Sequence, residues 1–300
     1  MKVVVVGAGA LGTFYSAMLS ASGQDVTLVC REKDEDILRK GIHVTGAKEI
    51  SASPSIATFA PPSDLIFVTV KAYDVAEAVK GLSLKPGAIV VIIHNGLGPD
   101  EAAASVLGKG HVAIGLTYGG ATYLEPGSVE LAGYTETVLG SMEPEVGEKL
   151  GIAREVLEKA GLRARVADDI RAAQWEKLCT NVAINPITAL TGMDNGMIIE
   201  VPELKALAGK VVGEAAMVSK ALGIRMTADP LENTYKVMRD TYCNRSSMLQ
   251  DVTRGKRTEI DTLNGKVCEL GRETDVPTPY NDTITALVKG IEFKNKTRGK

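Results

Sequence analysis

Three features of the sequence predict an α/β fold, with an N-terminal Rossmann-type doubly wound parallel sheet followed by an all-α C-terminal domain. A β-branched run breaks at glycines and passes into a helical pattern, further buried apolar runs alternate with helical segments, and beyond Asp168 helix periodicity continues without strand signals. The boundary is therefore placed between residues 168 and 169, giving units 1–168 and 169–300. A chain of 300 residues, 45% hydrophobic with 4% aromatics, suits two ordinary domains or one large one.

The first element is the run Val3 to Val6, which ends in Gly7, Gly9 and Gly12 and continues into helix-forming residues; a second strand follows at Asp25 to Cys30. This is GxGxxG in the context that gives it meaning, with a strand before it, a helix after it and a second strand within ~30 residues. The first glycine allows the tight turn, the second lets backbone amides approach a pyrophosphate, and the third permits close helix packing. A dinucleotide is the expected ligand. The second strand ends Val29-Cys30-Arg31, where an NAD site would place a carboxylate for the ribose 2′-OH. Arg31 suits a 2′-phosphate, hence NADP; Glu32 is the competing acid, and alternation along the strand end favours Arg31.

From Asp64 the pattern repeats, with a buried strand DLIFVTVK, a helix from Tyr73 to Leu82 and a buried strand AIVVIIHNG. Lys71 and Asn95 fall at the carboxyl ends of parallel strands, where open α/β sheets bind ligands. Lys71 could equally be a surface lysine, Asn95-Gly96 only a turn dipeptide, and His94 reads as a strand-end residue. Residues 113–140, rich in Gly, Thr and Tyr, with turn signals at Pro126-Gly127 and Gly133-Tyr134, predict short strands and hairpins. A helix over 145–161 and a last strand LRARVAD close the first domain.

In the second domain, helices are expected near 169–185, 202–222, 229–240 and 258–272, punctuated by Pro202, Pro230 and Pro277. The segment WEKLCTNVAINP reads as one helix from Gln174 to Pro186, with Lys177, Asn181 and Asn185 four apart and so stacked on one side over about 12 Å. Asn is a poor interior helix residue because its side chain competes for the backbone, so two in one helix suggest a role beyond a solvated polar stripe. Ser247 and Glu259 are twelve residues apart, about 18 Å on one continuous helix. A stop at Arg254-Gly255 with Thr258 as a new N-cap would let Glu259 fold back towards Ser247. Individually, Ser247 also suits a helix cap and Glu259 an ion-paired surface acid, while Asn195-Gly196 alone is a loop signal.

The net charge of -3 and a pI near 5.8 argue against nucleic acid or an anionic membrane as partner, since no basic face is visible. The first apolar run, Val3 to Val6, is too short for a bilayer span or a signal sequence, so a cytoplasmic protein is expected. Cys30, Cys179, Cys243 and Cys268 are scattered without CxxC, which indicates reduced, mostly buried thiols and no metal site.

Several stretches together resemble the 2-dehydropantoate 2-reductase (ketopantoate reductase) family over nearly the whole chain. They are GAGALG from Gly7 to Gly12, VTVKAYD around Lys71, HNGLGPDE around Asn95, GGATYLEPGSV from Gly119, WEKLCTNVAINPITAL and SSMLQDVTRGKRTEIDTLNG. The resemblance implies that Lys177 is the catalytic lysine and that Asn181, Asn185, Asn195 and Ser247 contact substrate. It implies that Asn95 and Glu259 lie near both substrate and cofactor, and that Gly7, Ala8, Gly9, Ala10, Leu11, Gly12, Arg31, Lys71 and Ala121 contact NADPH. The chain departs from the family at His94, where Gln is common, and at Tyr118-Gly119, which replaces a Thr-His pair seen in some members. These differences bear on substrate preference rather than reaction type.

The activity implied is NADPH-dependent reduction of ketopantoate to pantoate on the route to pantothenate and coenzyme A. Its small-molecule partner is a 2-keto acid, and a homodimer is the assembly considered. The alternatives are a reductase of another branched 2-keto acid and a non-catalytic NADP-binding regulator. Hydride addition to a ketone leaves alkoxide charge, and Lys177 is the well-placed donor to neutralise it. Desolvation would lower the pKa of Lys177 and a nearby Glu259 would raise it. The sequence leaves open which effect is larger.

Overall fold

The computed structural model describes residues 1–298, which divide into two compact units, one comprising Met1–His94 with Gly98–Ile170 and the other Asn95–Leu97 with the residues from Arg171 onward. The contact boundary thus falls two residues beyond Asp168, and the three-residue segment 95–97 joins the second unit.

The first unit is built on ten strands: β1 (Lys2–Val6), β2 (Asp25–Val29), β3 (Ile42–Gly46), β4 (Ile50–Ala52), β5 (Ser55–Ala57), β6 (Ser63–Val68), β7 (Leu84–Ile93), β8 (Val112–Glu125), β9 (Ser128–Gly140) and β10 (Ala164–Val166). Their order is β4-β3-β9-β8-β7-β6-β1-β2-β5, with β10 beside β9. The segment from β5 through β2, β1, β6 and β7 to β8 is parallel, and its order reverses at β1, with β2 on one side and β6 on the other. That reversal opens the crevice in which a doubly wound sheet receives its ligand. The helices are α1 (Ala10–Ala21), α2 (Glu32–Leu38), α3 (Val75–Lys80), α4 (Pro99–Leu107), α5 (Pro144–Gly147) and α6 (Leu150–Lys159). The central strands carry continuous Val/Ile runs because both faces are covered: Val3 and Val5 join one core cluster, Val4 and Val6 the other, all buried.

Three details depart from the expectation. The segment 113–140 forms two long strands, not several short ones: β8 and β9 have 14 and 13 residues and make one antiparallel hairpin turning at Pro126-Gly127. Gly133-Tyr134 lies inside β9, opposite Gly120 and Gly119, where the register shifts; these glycines mark bulges rather than a turn. The helix expected over 145–161 is interrupted between α5 and α6.

The second unit holds α7 (Ile170–Thr191), α8 (Met197–Glu200), α9 (Pro202–Ala221), α10 (Pro230–Asp240), α11 (Ser247–Thr253), α12 (Lys266–Glu273) and α13 (Pro279–Arg298), with a π-helical turn at Asp261–Gly265 leading into α12. Pro186 does not end α7, which runs on to Thr191. The core gathers Trp175, Leu178, Val182 and Ile187 of α7 with Val211, Ala215 and Val218 of α9 and Val288 of α13. Helix α13 lies beyond the last helix expected from the sequence. Cys30, Cys179 and Cys268 are buried free thiols, while Cys243 is exposed. Among the described residues no helix is long and apolar enough to cross a membrane.

Candidate functional site

The glycine turn of the first unit sits at the carboxyl end of β1. Gly7 has φ +107°, a left-handed conformation that disfavours a side chain, and donates its N–H to the Val29 carbonyl at 3.0 Å. A Cβ on Gly12 would overlap the Gly7 carbonyl oxygen, so the third glycine is required for α1 to start where it does. Thr69, just past β6, locks the turn from the other side of the crevice, its hydroxyl donating to the Val6 and Gly7 carbonyls at 3.0 Å each. A Cβ on Gly9 would meet nothing within 4 Å. This leaves the α1 N-terminus open to a pyrophosphate, as dinucleotide binding requires. Ala8, Ala10, Leu11 and Ala121 are partly buried and pack on the same core cluster.

Arg31 is the residue preceding α2, and Lys71 the one preceding a 3-10 turn at Ala72–Asp74. The Arg31 side chain is largely exposed and forms an ion pair with Asp74, Nη2 to Oδ2 3.7 Å. The Asp74 N–H in turn donates to the Lys71 carbonyl at 2.8 Å. The turn that begins at Lys71 therefore ends in a carboxylate paired with Arg31, a residue that sequence reading did not single out. Below the turn, Tyr15 of α1 reaches the hydroxyls of Thr117 on β8, at 2.7 Å, and Thr137 on β9. Burial pushes the Tyr15 pKa far up, so it stays a neutral hydrogen-bonding group.

In the second unit, Lys177, Asn181 and Asn185 lie on α7; Lys177 and Asn181 are partly buried and Asn185 is buried. Pro186 removes the amide that would bond the Val182 carbonyl, and Asn264 Nδ2 donates to that carbonyl at 2.8 Å. Asn264 comes from the π-helical turn, a local widening of the helix that is frequent at functional sites. Its amide also donates to Asn281 Oδ1 at 2.9 Å, and Asn281 Nδ2 donates to the buried Glu214 at 2.7 Å. The hydrogen bond lost to the proline is thereby replaced by a network that reaches α9 and α13.

The chain breaks between Ser247 and Glu259, as the Gly255 signal requires. Gly255 has φ +65°, its N–H donates to the Val252 carbonyl at 3.0 Å, and the Lys256 N–H donates to the Asp251 carbonyl at 2.8 Å. Those two bonds are a Schellman stop. Thr258 then accepts from the Ile260 N–H at 3.2 Å, opening the next segment. Ser246, not Ser247, caps α11, accepting from the Leu249 N–H at 3.1 Å, so the capping alternative for Ser247 falls away. The Ser246 hydroxyl also meets Thr188 of α7 at 2.6 Å, which holds the start of α11 one turn beyond Asn185.

Glu259 is buried and accepts from Asn95 Nδ2 at 3.3 Å. The Asn95 loop is held there by main-chain contacts: Leu97 N–H donates to the Thr262 carbonyl at 2.9 Å, and Gly96, at φ +82°, passes so close to that carbonyl that a Cβ would overlap it. Asn95-Gly96 is thus more than a turn. Burial lowers the pKa of Lys177 to about 8, with the Glu259 carboxylate pulling in the opposite direction. Asn195 is buried, its Nδ2 donating to Thr241 at 3.0 Å and its N–H to the Asn244 carbonyl at 2.9 Å. Its Oδ1 is buried without a partner among the described residues, an acceptor suited to a ligand hydroxyl. His94, buried and 3.4 Å from Asp100 Oδ1, behaves as a strand-end residue.

The second unit thus places Lys177, with its pKa lowered by burial, within electrostatic reach of the Glu259 carboxylate, which accepts from Asn95. Residues that sequence reading passed over are those that hold others: Thr69, Asp74, Thr188, Ser246 and Asn264. Of these only Asn264 left a signal, since a proline inside a helix demands a substitute donor.

Residues 3–144 match the model of the ketopantoate reductase PanE/ApbA family, and residues 169–292 match that of its C-terminal domain. The 2-dehydropantoate 2-reductase of Archaeoglobus fulgidus is 37% identical over 291 residues, covering 97% of this chain and 98% of the relative. The crystal structure of a PanE/ApbA family ketopantoate reductase from Ralstonia eutropha JMP134 superposes with a TM-score of 0.90 at 28% identity, covering 99% of this chain and all of the other. A D-mandelate dehydrogenase solved with NADH and anilino(oxo)acetate shares the fold, with a TM-score of 0.91 at 24% identity over 99% of both chains.

Proposed function

The chain belongs to the ketopantoate reductase family, and on that premise we propose that it reduces 2-dehydropantoate to pantoate with NADPH, a step of pantothenate and coenzyme A biosynthesis. Members of the family are NAD(P)-dependent oxidoreductases acting on a CH–OH group, and the residues of the first unit fit such a cofactor. The Gly7 to Gly12 turn and the α1 N-terminus would hold the pyrophosphate, and Arg31 with Lys71 the 2′-phosphate that distinguishes NADP. When bound, NADPH supplies the hydride that adds to the C2 carbonyl carbon of the substrate.

The observation that carries the chemistry is Lys177, lowered to about 8 by desolvation while Glu259 opposes the shift. At neutral pH most of it is protonated, so its ammonium can stabilise the oxyanion developing at C2 and then protonate it, and the lowered pKa makes that transfer easier. Asn181 and Asn185 offer carboxamides to the substrate carboxylate without adding a positive charge that would lower Lys177 further. Asn195 Oδ1 and the Ser247 hydroxyl suit the primary alcohol, and Asn95 positions Glu259. The second unit is therefore the substrate and acid domain, and the first the NADP domain.

The test is NADPH oxidation against a panel of branched 2-keto acids with wild type and Lys177→Ala. Preference for 2-dehydropantoate and a loss in kcat of roughly 10²–10⁴-fold in the variant are expected for removal of a general acid. No preference for 2-dehydropantoate would favour a related keto acid as substrate. Turnover within a few-fold of wild type in Lys177→Ala would remove the lysine from its role.

A further inference from the structure

We propose that Asp74 sets how strongly this enzyme prefers the 2′-phosphorylated dinucleotide over the unphosphorylated one, by offsetting the charge of Arg31. The inference rests on the assignment of Arg31 to the 2′-phosphate. Asp74 closes the short turn that begins at Lys71, so the same four residues that present one cation at the carboxyl end of β6 present a carboxylate to the other.

The Arg31 to Asp74 contact of 3.7 Å is longer than a hydrogen bond, and the two side chains are 74% and 45% exposed. Such a pair has little power to orient a guanidinium, so Asp74 is poorly built to aim Arg31 at a ligand. Its charge nevertheless acts on any anion that Arg31 receives. A phosphomonoester carries close to two negative charges at neutral pH, and within a Debye length of ~8 Å the Asp74 carboxylate repels it while partly cancelling the attraction of Arg31. Glu32 and Asp34 in the first turn of α2 add to the same field, while Glu35 is paired with Arg39 at 2.6 Å. A 2′-hydroxyl is neutral and feels neither effect to first order. Asp74 therefore weakens NADPH selectively, leaving the enzyme less discriminating than its arginine and lysine alone would make it.

Asp74 can be altered without disturbing the fold. It precedes α3, but its side chain makes no capping hydrogen bond there. Neutral Asp74→Asn keeps the shape, and Asp74→Ala provides a second variant, with thermal unfolding of both matching wild type as the control for folding.

The experiment is calorimetric titration of NADPH and of NADH into wild type, Asp74→Asn, Asp74→Ala and Arg31→Ala at low and at high salt. The Kd ratio of NADH to NADPH is expected to rise about three- to tenfold in both Asp74 variants at low salt and to approach wild type at high salt, as an exposed charge effect must. A ratio that stays put overturns the inference, and one that falls shows Asp74 to be aiming Arg31 instead. Arg31→Ala separates the premise from the inference. If it weakens both cofactors equally, the 2′-phosphate assignment fails and the inference with it; if it weakens NADPH alone while the Asp74 variants leave the ratio unchanged, only the inference fails.

Discussion

Asn264 stands in for a missing main-chain amide: its Nδ2 donates to the Val182 carbonyl at 2.8 Å, the bond that residue 186 would make were it not proline. The carbonyl is thereby satisfied inside a core that excludes water, and α7 continues past Pro186 to Thr191 with Lys177, Asn181 and Asn185 on the preceding turns. Replacing Asn264 by Leu leaves the Val182 carbonyl and Asn281 Oδ1 without their donor, at a cost of about 2–4 kcal/mol. Urea denaturation should show this loss, and adding Pro186→Ala should recover part of it by returning an N–H to the helix. If the double variant is no more stable than Asn264→Leu alone, the carbonyl was not the source of the loss.

The pKa of Lys177 carries two pH signatures. As general acid it must be protonated, so kcat/KM is expected to fall as pH rises through about 8. Glu259→Gln removes the charge that holds the value up, which moves that limb to lower pH; an unmoved limb would assign it to another group. Stability runs the other way. The folded pKa lies below the ordinary lysine value of 10.5, so between about 8 and 10.5 the unfolded chain binds more protons than the folded one, and stability rises with pH across that window. Lys177→Met lacks the group and should lack the rise, as urea midpoints measured at pH 8 and pH 10 would show.

Much of this was legible in the sequence for identifiable reasons. The glycine turn, the alternation of buried strands with helices, and the Gly255 stop are local signals, written in conformations that few other residues adopt, and the stop is what frees Glu259 from the far end of a helix. The long β8–β9 hairpin is hidden in the sequence because Gly133 serves as a bulge inside a strand, and a glycine is ambiguous between bulge and turn until its partner strand is known. The segment 42–57 carries a weak local signal: β3 and β4 form a short hairpin, and what fixes it in the sheet is the pairing of β3 with β9, more than eighty residues on. Thr188 with Ser246 and Asn95 with Glu259 are likewise contacts across long stretches of chain, which no spacing rule reaches.

The three glycines of the first turn separate folding from cofactor binding. Gly9 has φ -81°, ψ -168°, open to any residue, and a Cβ there meets nothing, whereas a Cβ on Gly12 overlaps the Gly7 carbonyl. Gly9→Ala should therefore keep its stability within about 1 kcal/mol yet raise the Kd for NADPH at least tenfold, because the added methyl occupies the approach of the pyrophosphate. Gly12→Ala should instead lose about 2–4 kcal/mol of stability, since backbone must move to admit it. Thermal unfolding paired with cofactor titration distinguishes them, and equal stability losses in both would mean that the turn is set by something other than the Gly12 approach.

Gly96 makes the same argument for the loop that presents Asn95. Its φ of +82° disfavours a side chain, and its α-carbon faces the Thr262 carbonyl, which accepts from the next amide along, Leu97 N–H, at 2.9 Å. A methyl at position 96 must push the loop off that carbonyl, breaking the main-chain bond and drawing Asn95 away from Glu259. Gly96→Ala is therefore expected to lose about 1–3 kcal/mol of stability. Its activity should fall further than Asn95→Ala does, because both the carboxamide and the Leu97 anchor of the loop are displaced. Determining kcat and KM for the two variants side by side decides the point: if Gly96→Ala retains the activity of wild type, the Asn95 to Glu259 contact is not needed for turnover and the loop serves only as a connection.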